Sequence, residues 1–388
     1  MDMRARNKHQ RLVLTNARLV LADKIISGTL EIEDGRIIAI SPLTHASDAI
    51  DLRGDFLLPG LVDIHTDHFE KHVYPRTSVR WDFTRAALAH DAQIIGAGIT
   101  TVFDSLCVGA AHDDSERAEI LAPMIEALEK CQAAGMFRAE HLIHLRCEVI
   151  DPLTPALMEA NITHDLVRVI SVMEHLPGIR QTRNLDDYIG KLQKAWGQSE
   201  ASVRAHLDDL IGRKSAIGRD VRPQVVEIAK RHNKPMLSHD DTDIEHVDLA
   251  ADEGVTISEF PCTLEAAREA QKRGMQIVAG APNIVRGGSQ SGNIAARDLL
   301  LEGLCDILAS DYVPRALIDA PFMIAADADL KHDLPAAVRM VSKTPAEAAG
   351  LMDRGEIALG KRADLLHVSS HDGHPFIKQI WREGRRVA

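Results

Sequence analysis

Apolar and polar positions alternate with period two at both ends of the chain and nowhere else for long. Leu12–Ala22 and Thr29–Ser41 read as strands on one side, with Glu33-Asp34-Gly35 as a turn, and Ala363–Val368 and Phe376–Arg382 as strands on the other, parted by His371-Asp372-Gly373. Each piece is too short to close a sheet alone. The pattern therefore predicts one small composite β-sandwich built from residues 1–56 and 356–388.

Between these ends, over residues 57–355, short apolar runs alternate with amphipathic stretches. The runs Leu61–His65, Ile99–Asp104, Leu142–Glu148, Val167–Glu174, Pro235–His239, Val255–Glu259, Gln276–Ala281 and Asp306–Asp311 read as buried strands, and Glu116–Ala134 and Leu264–Arg273 as the clearest helices. Eight strands in strict βα alternation predict an α/β fold, a (β/α)8 TIM barrel. A doubly wound open sheet fits less well, because no Gly-x-Gly-x-x-Gly follows the first strand. Arg180–Arg222, charged and helical in pattern, reads as an insertion over the barrel mouth.

Composition narrows the class. The chain of 388 residues is 45% hydrophobic, enough for a sizeable core, and its net charge of −12 argues against nucleic acid or an anionic membrane as partner. No apolar run approaches the ~20 residues of a membrane span, and the charged segment Met1–Arg11 does not lead into a signal-peptide core, so a cytoplasmic location is expected. Five cysteines, far apart and without a Cys-x-x-Cys pair, form neither a disulfide framework nor a thiolate zinc site. Nineteen histidines are the informative excess, because imidazole is the commonest metal ligand.

In such a barrel the chemistry sits at the C-terminal strand ends. Six candidate ligands fall there: His65 and Asp67 on the first strand, Glu148 on the third, His175 on the fourth, His239 on the fifth and Asp311 on the last. His65 and Asp67 are two residues apart and so share a strand face. Imidazoles and carboxylates together suit one or two divalent ions, zinc first and manganese second, and a carboxylate such as Glu148 can bridge a pair. Asp311 is the candidate catalytic base as well as a ligand. Singly, each residue also reads as an ordinary core histidine or helix cap; six at five strand ends do not.

The run Leu58-Pro59-Gly60-Leu61-Val62-Asp63-Ile64-His65 resembles the entry to the amidohydrolase superfamily, and Gly360-Lys361-Arg362-Ala363-Asp364-Leu365 resembles its return into the terminal β unit. Further motifs resemble one branch of it, the diphosphatase family of the carbon–phosphorus lyase pathway. They are Glu70-Lys71-His72, Pro75-Arg76, Ala89-His90-Asp91-Ala92, Leu145-Arg146-Cys147-Glu148, Met173-Glu174-His175, Ser238-His239-Asp240-Asp241, Asn283-x-Val285-Arg286-Gly287-Gly288-Ser289 and Ser310-Asp311-Tyr312. The resemblance implies hydrolysis of a ribose 1-methylphosphonate 5-triphosphate to the 5-phosphate and diphosphate. Two points depart from it. His68 stands where that branch carries Asn, which makes His68 a rival ligand, and the count puts His175 and His239 on strands four and five where the superfamily uses five and six.

A triphosphate needs cationic and N–H donors. Arg286, Gly287, Gly288 and Ser289 after the seventh strand, with Lys71, His72 and Arg76 after the first, are the candidates; a Gly-rich turn and a solvated charged loop are the plain alternatives. Arg146 shares the inward face of Glu148 and needs an anionic partner, a structural carboxylate rather than substrate by preference, whereas Cys147 faces away. The partner expected is thus a small anionic phosphorylated molecule, with a homo-oligomer left open. The rival functions are a cyclic-amide or N-acyl hydrolase, which has no use for a cationic loop, and a non-catalytic scaffold, which would have lost ligands.

Overall fold

The computed structural model describes residues 11–42, 48–76, 79–110, 116–180, 184–289 and 291–388. Most of the charged opening segment (1–10) and positions 181–183 of the expected insertion lie outside the described residues. Eight parallel strands form one sheet in chain order: Leu61–Thr66, Ile99–Val108, Glu140–Glu148, Val167–Met173, Met236–His239, Ile257–Glu259, Gln276–Gly280 and Ile307–Ala309. The last meets the first through a parallel bridge between Thr66 and Asp311, where Asp311 N–H donates to His65 O at 3.0 Å and Asp67 N–H to Asp311 O at 3.1 Å. The sheet is therefore a closed barrel, and the eight expected strands are its eight strands.

Period-two alternation divides the strand side chains between two cores. Val62, Ile64, Phe103, Leu142, Val169, Leu237, Ile257, Val278 and Ile307 fill the barrel interior. Their neighbours along the same strands, such as Leu61, Val102, Ile143 and Ile170, pack outward beneath the helices. Phe103 and Leu142 fix the phase, so Cys107, His144, Arg146 and Glu148 point inward and Cys147 outward.

The terminal strands build the other unit. Arg11–Val20, Ile25–Glu33, Arg36–Ser41, Phe56–Pro59, Leu365–His371 and His374–Arg382 belong to one mixed sheet, in which Phe56–Pro59 pairs with both the first strand of the chain and the late one. Leu14, Leu19, Leu30, Leu57, Leu365 and Trp381 form its separate core. It is pinned to the barrel floor by charge: Glu140 on the third barrel strand accepts from Arg354 at 2.6 Å and from Arg362, which also donates to Thr101. Gly60 sits where the units meet, and a Cβ there would overlap the Thr100 side chain and touch Asp364.

The expected insertion is larger than its sequence pattern implied. After the fourth strand come helices Leu185–Trp196 and Glu200–Arg231, which share a small core of Ile189, Val203 and Leu207. The second helix continues past Arg222 because Val221, Val225 and Val226 bury against the barrel as an ordinary crossover helix would. No helix among the described residues is long and apolar enough to cross a membrane.

Candidate active site

The C-terminal mouth of the barrel opens into a cavity of about 620 Å³. His65, Asp67, Glu148, His175, His239 and Asp311 all line it. His175 lies two residues past the fourth strand and His239 ends the fifth, so the strand count made from the sequence stands.

The floor is organised by a residue the sequence reading passed over. Glu259, the last residue of the sixth strand, is fully buried and accepts from His65 Nδ1 on one carboxylate oxygen and from His239 Nδ1 on the other, each at 2.6 Å. Ser171 donates to the same carboxylate at 2.8 Å, and His144 hydrogen-bonds Ser171 in turn. Burial alone would raise the Glu259 carboxyl, but His65 facing it and the hydrogen bonds from His239 and His65 hold it well below the usual carboxylate range. His144 itself is desolvated down to about 3 and stays neutral. With both Nδ1 atoms committed to Glu259, the Nε2 atoms of His65 and His239 are the ones left as possible ligands. The signal available was the strand end Val255–Glu259, an acid two residues after Ile257 and so on the same strand face as that apolar side chain.

Three features suit this floor to a divalent ion. His65 Nε2 and Asp67 Oδ1 are buried with no hydrogen-bond partner among the described residues, an arrangement that is costly unless something else satisfies them. Asp67 precedes the helix His68–Val73 yet makes no capping bond to it, so its carboxylate is free for the cavity. His65, His239 and Glu259 offer ligand atoms within 4.8 Å of one another, as do His175, His239 and Asp240. Glu148 holds His175 through Nδ1 at 2.6 Å and through the backbone N–H at 3.2 Å. Asp311 adopts left-handed backbone, φ +54°, which short acidic side chains tolerate. Burial, with Asp67 nearby, raises its carboxyl despite His65 opposing.

Of the phosphate candidates, Lys71 and Ser289 line the cavity. Lys71 Nζ donates to Tyr312 O at 3.0 Å and lies 5.3 Å from the centre of the Tyr312 ring. Arg286 is exposed at the end of helix Ala281–Arg286, and the amides of Gly287 and Gly288 close that helix, donating to Ile284 O at 3.2 Å and Asn283 O at 2.9 Å. Arg76 is exposed beside its bridge to Val79, and the His72 ring neighbours His68 and His90. None of these last five lines the cavity. Arg146 does. The expected structural carboxylate is not there: its guanidinium contacts Met173 Sδ at 3.2 Å and His239 Nε2 at 3.5 Å, with no ion pair among the described residues. Burial opposes its charge, yet Cys107, Asp67, Glu259 and Asp311 around it keep its pKa above the ordinary value. Cys147 is buried on the outer face, where desolvation pushes its thiol up.

The sequence matches the amidohydrolase family over residues 56–386. It is 40% identical over 377 residues to the alpha-D-ribose 1-methylphosphonate 5-triphosphate diphosphatase of Escherichia coli strain K12, covering 97% of this chain and 100% of that one. An adenine deaminase of Cereibacter sphaeroides is 25% identical over 382 residues, covering 93% of this chain and 56% of that protein. Among solved structures, N-isopropylammelide isopropylaminohydrolase from Burkholderia multivorans superposes with a TM-score of 0.65 at 17% identity, over 97% of this chain and 98% of that one. A 5-methylcytosine deaminase from Klebsiella pneumoniae gives 0.65 at 15% identity, over 98% of each chain. At these identities the two structures speak for the fold alone.

Proposed function

The chain belongs to the amidohydrolase family, and on that premise we propose that it is a metal-dependent diphosphatase acting on α-D-ribose 1-methylphosphonate 5-triphosphate, which it cleaves to the 5-phosphate and diphosphate. The observation that carries the reading is Arg146. A guanidinium that makes no ion pair among the described residues, on the floor of a cavity it shares with imidazoles, carboxylates and apolar side chains such as Met173 and Phe260, calls for an anionic ligand to bond. A neutral cyclic amide would give that guanidinium no anion to bond.

His65, Asp67, Glu148, His175, His239 and Asp311 would hold one or two divalent ions, zinc by donor type or manganese. Such ions would supply an activated water and neutralise phosphate charge. Asp311, whose environment favours proton uptake, takes the proton of the attacking water. Arg146 donates to phosphoryl oxygens as charge moves onto the departing diphosphate, and Lys71 and Ser289 meet the distal phosphates nearer the rim. Glu259 keeps the rings of His65 and His239 oriented throughout, and Tyr188 from the inserted helix pair covers the cavity's side.

The experiment is a substrate panel on metal-quantified protein: the ribose phosphonate triphosphate, a nucleoside triphosphate, adenine and cyclic amides. The expected result is diphosphate released from the phosphonate triphosphate with water as the only other reactant. Amide or amine hydrolysis without diphosphate would overturn the substrate class.

A further inference from the structure

A second histidine cluster lies behind the cavity, between the helix His68–Val73 and the helix Phe83–Gly96. His68 and His72 are four residues apart and share one face of the first helix. His90, fully buried on the second helix, faces them: ring centroids are 5.0 Å apart for His68 and His72, 5.9 Å for His68 and His90, and 5.7 Å for His72 and His90. Each of the three offers a ring nitrogen within 4.8 Å of the other two. Each also has one buried ring nitrogen with no hydrogen-bond partner among the described residues, Nδ1 of His68, Nε2 of His72 and Nδ1 of His90. Three unsatisfied acceptors or donors in one place have no structural rationale as they stand.

The surroundings orient them. His90 uses its other nitrogen, Nε2, against Asp104 Oδ1 at 2.6 Å, which leaves Nδ1 with a lone pair. The second Asp104 oxygen accepts from His141 Nδ1 at 2.8 Å. A carboxylate behind an imidazole is the arrangement that fixes the tautomer of metal-ligating histidines. The Gln93 side chain hydrogen-bonds the His72 ring in the same sense. None of the three histidines lines the catalytic cavity, and Asp104 lies on the outer face of its strand, opposite in phase to Phe103.

We propose that His68, His72 and His90 form a second divalent-metal site, of zinc-like preference, that clamps the two helices together behind the strand carrying His65 and Asp67. Three imidazoles on an ion at about 2 Å, with water completing a tetrahedron, bring the nitrogens to roughly 3.4 Å from one another. That is a small inward turn of rings already within 4.8 Å. His68 is thereby a ligand of this site and not a rival at the cavity floor. The proposal does not rest on the phosphate chemistry proposed above.

The test is made on the whole chain, stripped with a chelator, reloaded with zinc alone and freed of excess. Zinc per chain is counted by plasma mass spectrometry for the wild type, His68→Asn and His72→Ala, and crystals of the wild type and His68→Asn are measured at the zinc edge. The expected result is an anomalous peak bounded by the three rings, lost with one zinc equivalent in either variant while the cavity signal persists. Asp104→Asn should weaken that zinc by on the order of 10–100-fold. A zinc-loaded wild type with no peak between the rings overturns the site, as does a His68→Asn protein with the full zinc count.

Discussion

Glu259 and His65 are 194 residues apart in the chain and are joined by a 2.6 Å hydrogen bond from imidazole Nδ1 to carboxylate Oε1. The same carboxylate takes His239 on its other oxygen, so one buried acid sets the tautomer and direction of two rings whose centroids are 5.9 Å apart and nearly parallel. Those two histidines come from strands one and five, and the residue that relates them comes from strand six. The site is thus preorganised from beneath.

Replacing Glu259 by Gln keeps the volume but gives one of the two rings an N–H donor where it needs an acceptor. Metal affinity should fall by on the order of 10–100-fold and turnover with it. Metal retention after dialysis, measured beside steady-state rates, checks this; unchanged metal content would show that Glu259 only fills space.

Arg146→Met removes the cavity's inner cation while keeping its length. Loss of a charged hydrogen-bond donor to phosphate is worth about 1.5–3 kcal/mol, which lowers kcat/KM for the triphosphate roughly 10- to 150-fold. Because Arg146 has no ion-paired carboxylate to orphan among the described residues, the urea midpoint should hold or rise. A variant with unchanged kinetics on the triphosphate would remove the anionic ligand from the argument.

Strand order and the gathering of the six candidates at one cavity were readable because both follow local rules. Apolar runs mark the barrel strands, and in a barrel the last inward residue of a strand is at the mouth, which identifies Glu148 and His239 from Leu142 and Leu237 before them; His65 follows the inward Ile64, where the pairing register shifts between Asp63 and Thr66. Glu259 obeys the same rule, but a lone acid beside Phe260-Pro261 carries no motif, and only the closed barrel brings it under His65. Arg286 shows the opposite failure. Arg-Gly-Gly-Ser has the composition of a phosphate loop, yet Gly287 at φ +78° and Gly288 serve as a helix C-cap, and local sequence cannot distinguish the two uses of the same amides. His72 looked like a cavity residue for lack of any local sign of where its helix turns.

The buried Asp104–His141 pair makes stability depend on alkaline pH. Burial opposes charge on His141, but Asp104 and Asp91 raise it from 6.5 to about 9, while Asp104, desolvated yet facing His141 and His90, is lowered to about 2. A histidine raised on folding contributes stability that is complete below its unfolded value and is lost as pH climbs through the folded one. The melting temperature should therefore decline between about pH 6.5 and 9, and His141→Gln should be less stable at pH 6 with a flatter decline. A wild-type profile flat across that window would exclude the charged pair.

Glu140→Gln tests how the terminal β unit is fastened. Glu140 is lowered despite partial burial because Arg362 and Arg354 both face it. Their side chains are under a tenth exposed, so the substitution takes one of two carboxylate partners from each buried cation, leaving Arg362 with Asp364 and Arg354 with Asp353. Breaking such a pair costs about 3 kcal/mol at the lower end of the range for buried ions, given that Glu140 retains some solvent contact. Urea denaturation should show that loss, with the metal count unchanged. A shift below about 0.5 kcal/mol would mean that Asp364 and Asp353 suffice for the arginines.

Asp311→Asn separates the proton acceptor from the scaffold around it. The backbone of Asp311 closes the barrel through His65 and Asp67, and Asn tolerates the same left-handed conformation, so the circular dichroism spectrum should be preserved. Loss of a general base costs roughly 10²–10⁴ in kcat. Burial and the neighbouring Asp67 raise the Asp311 carboxyl, and a base must be deprotonated to act. The wild-type rate should therefore fall on acidification above the ordinary carboxylate range, and the residual rate of Asp311→Asn should lack that limb. A variant keeping both the wild-type rate and the acid limb would assign the proton to another group, with Glu148 and His175 next in line by position.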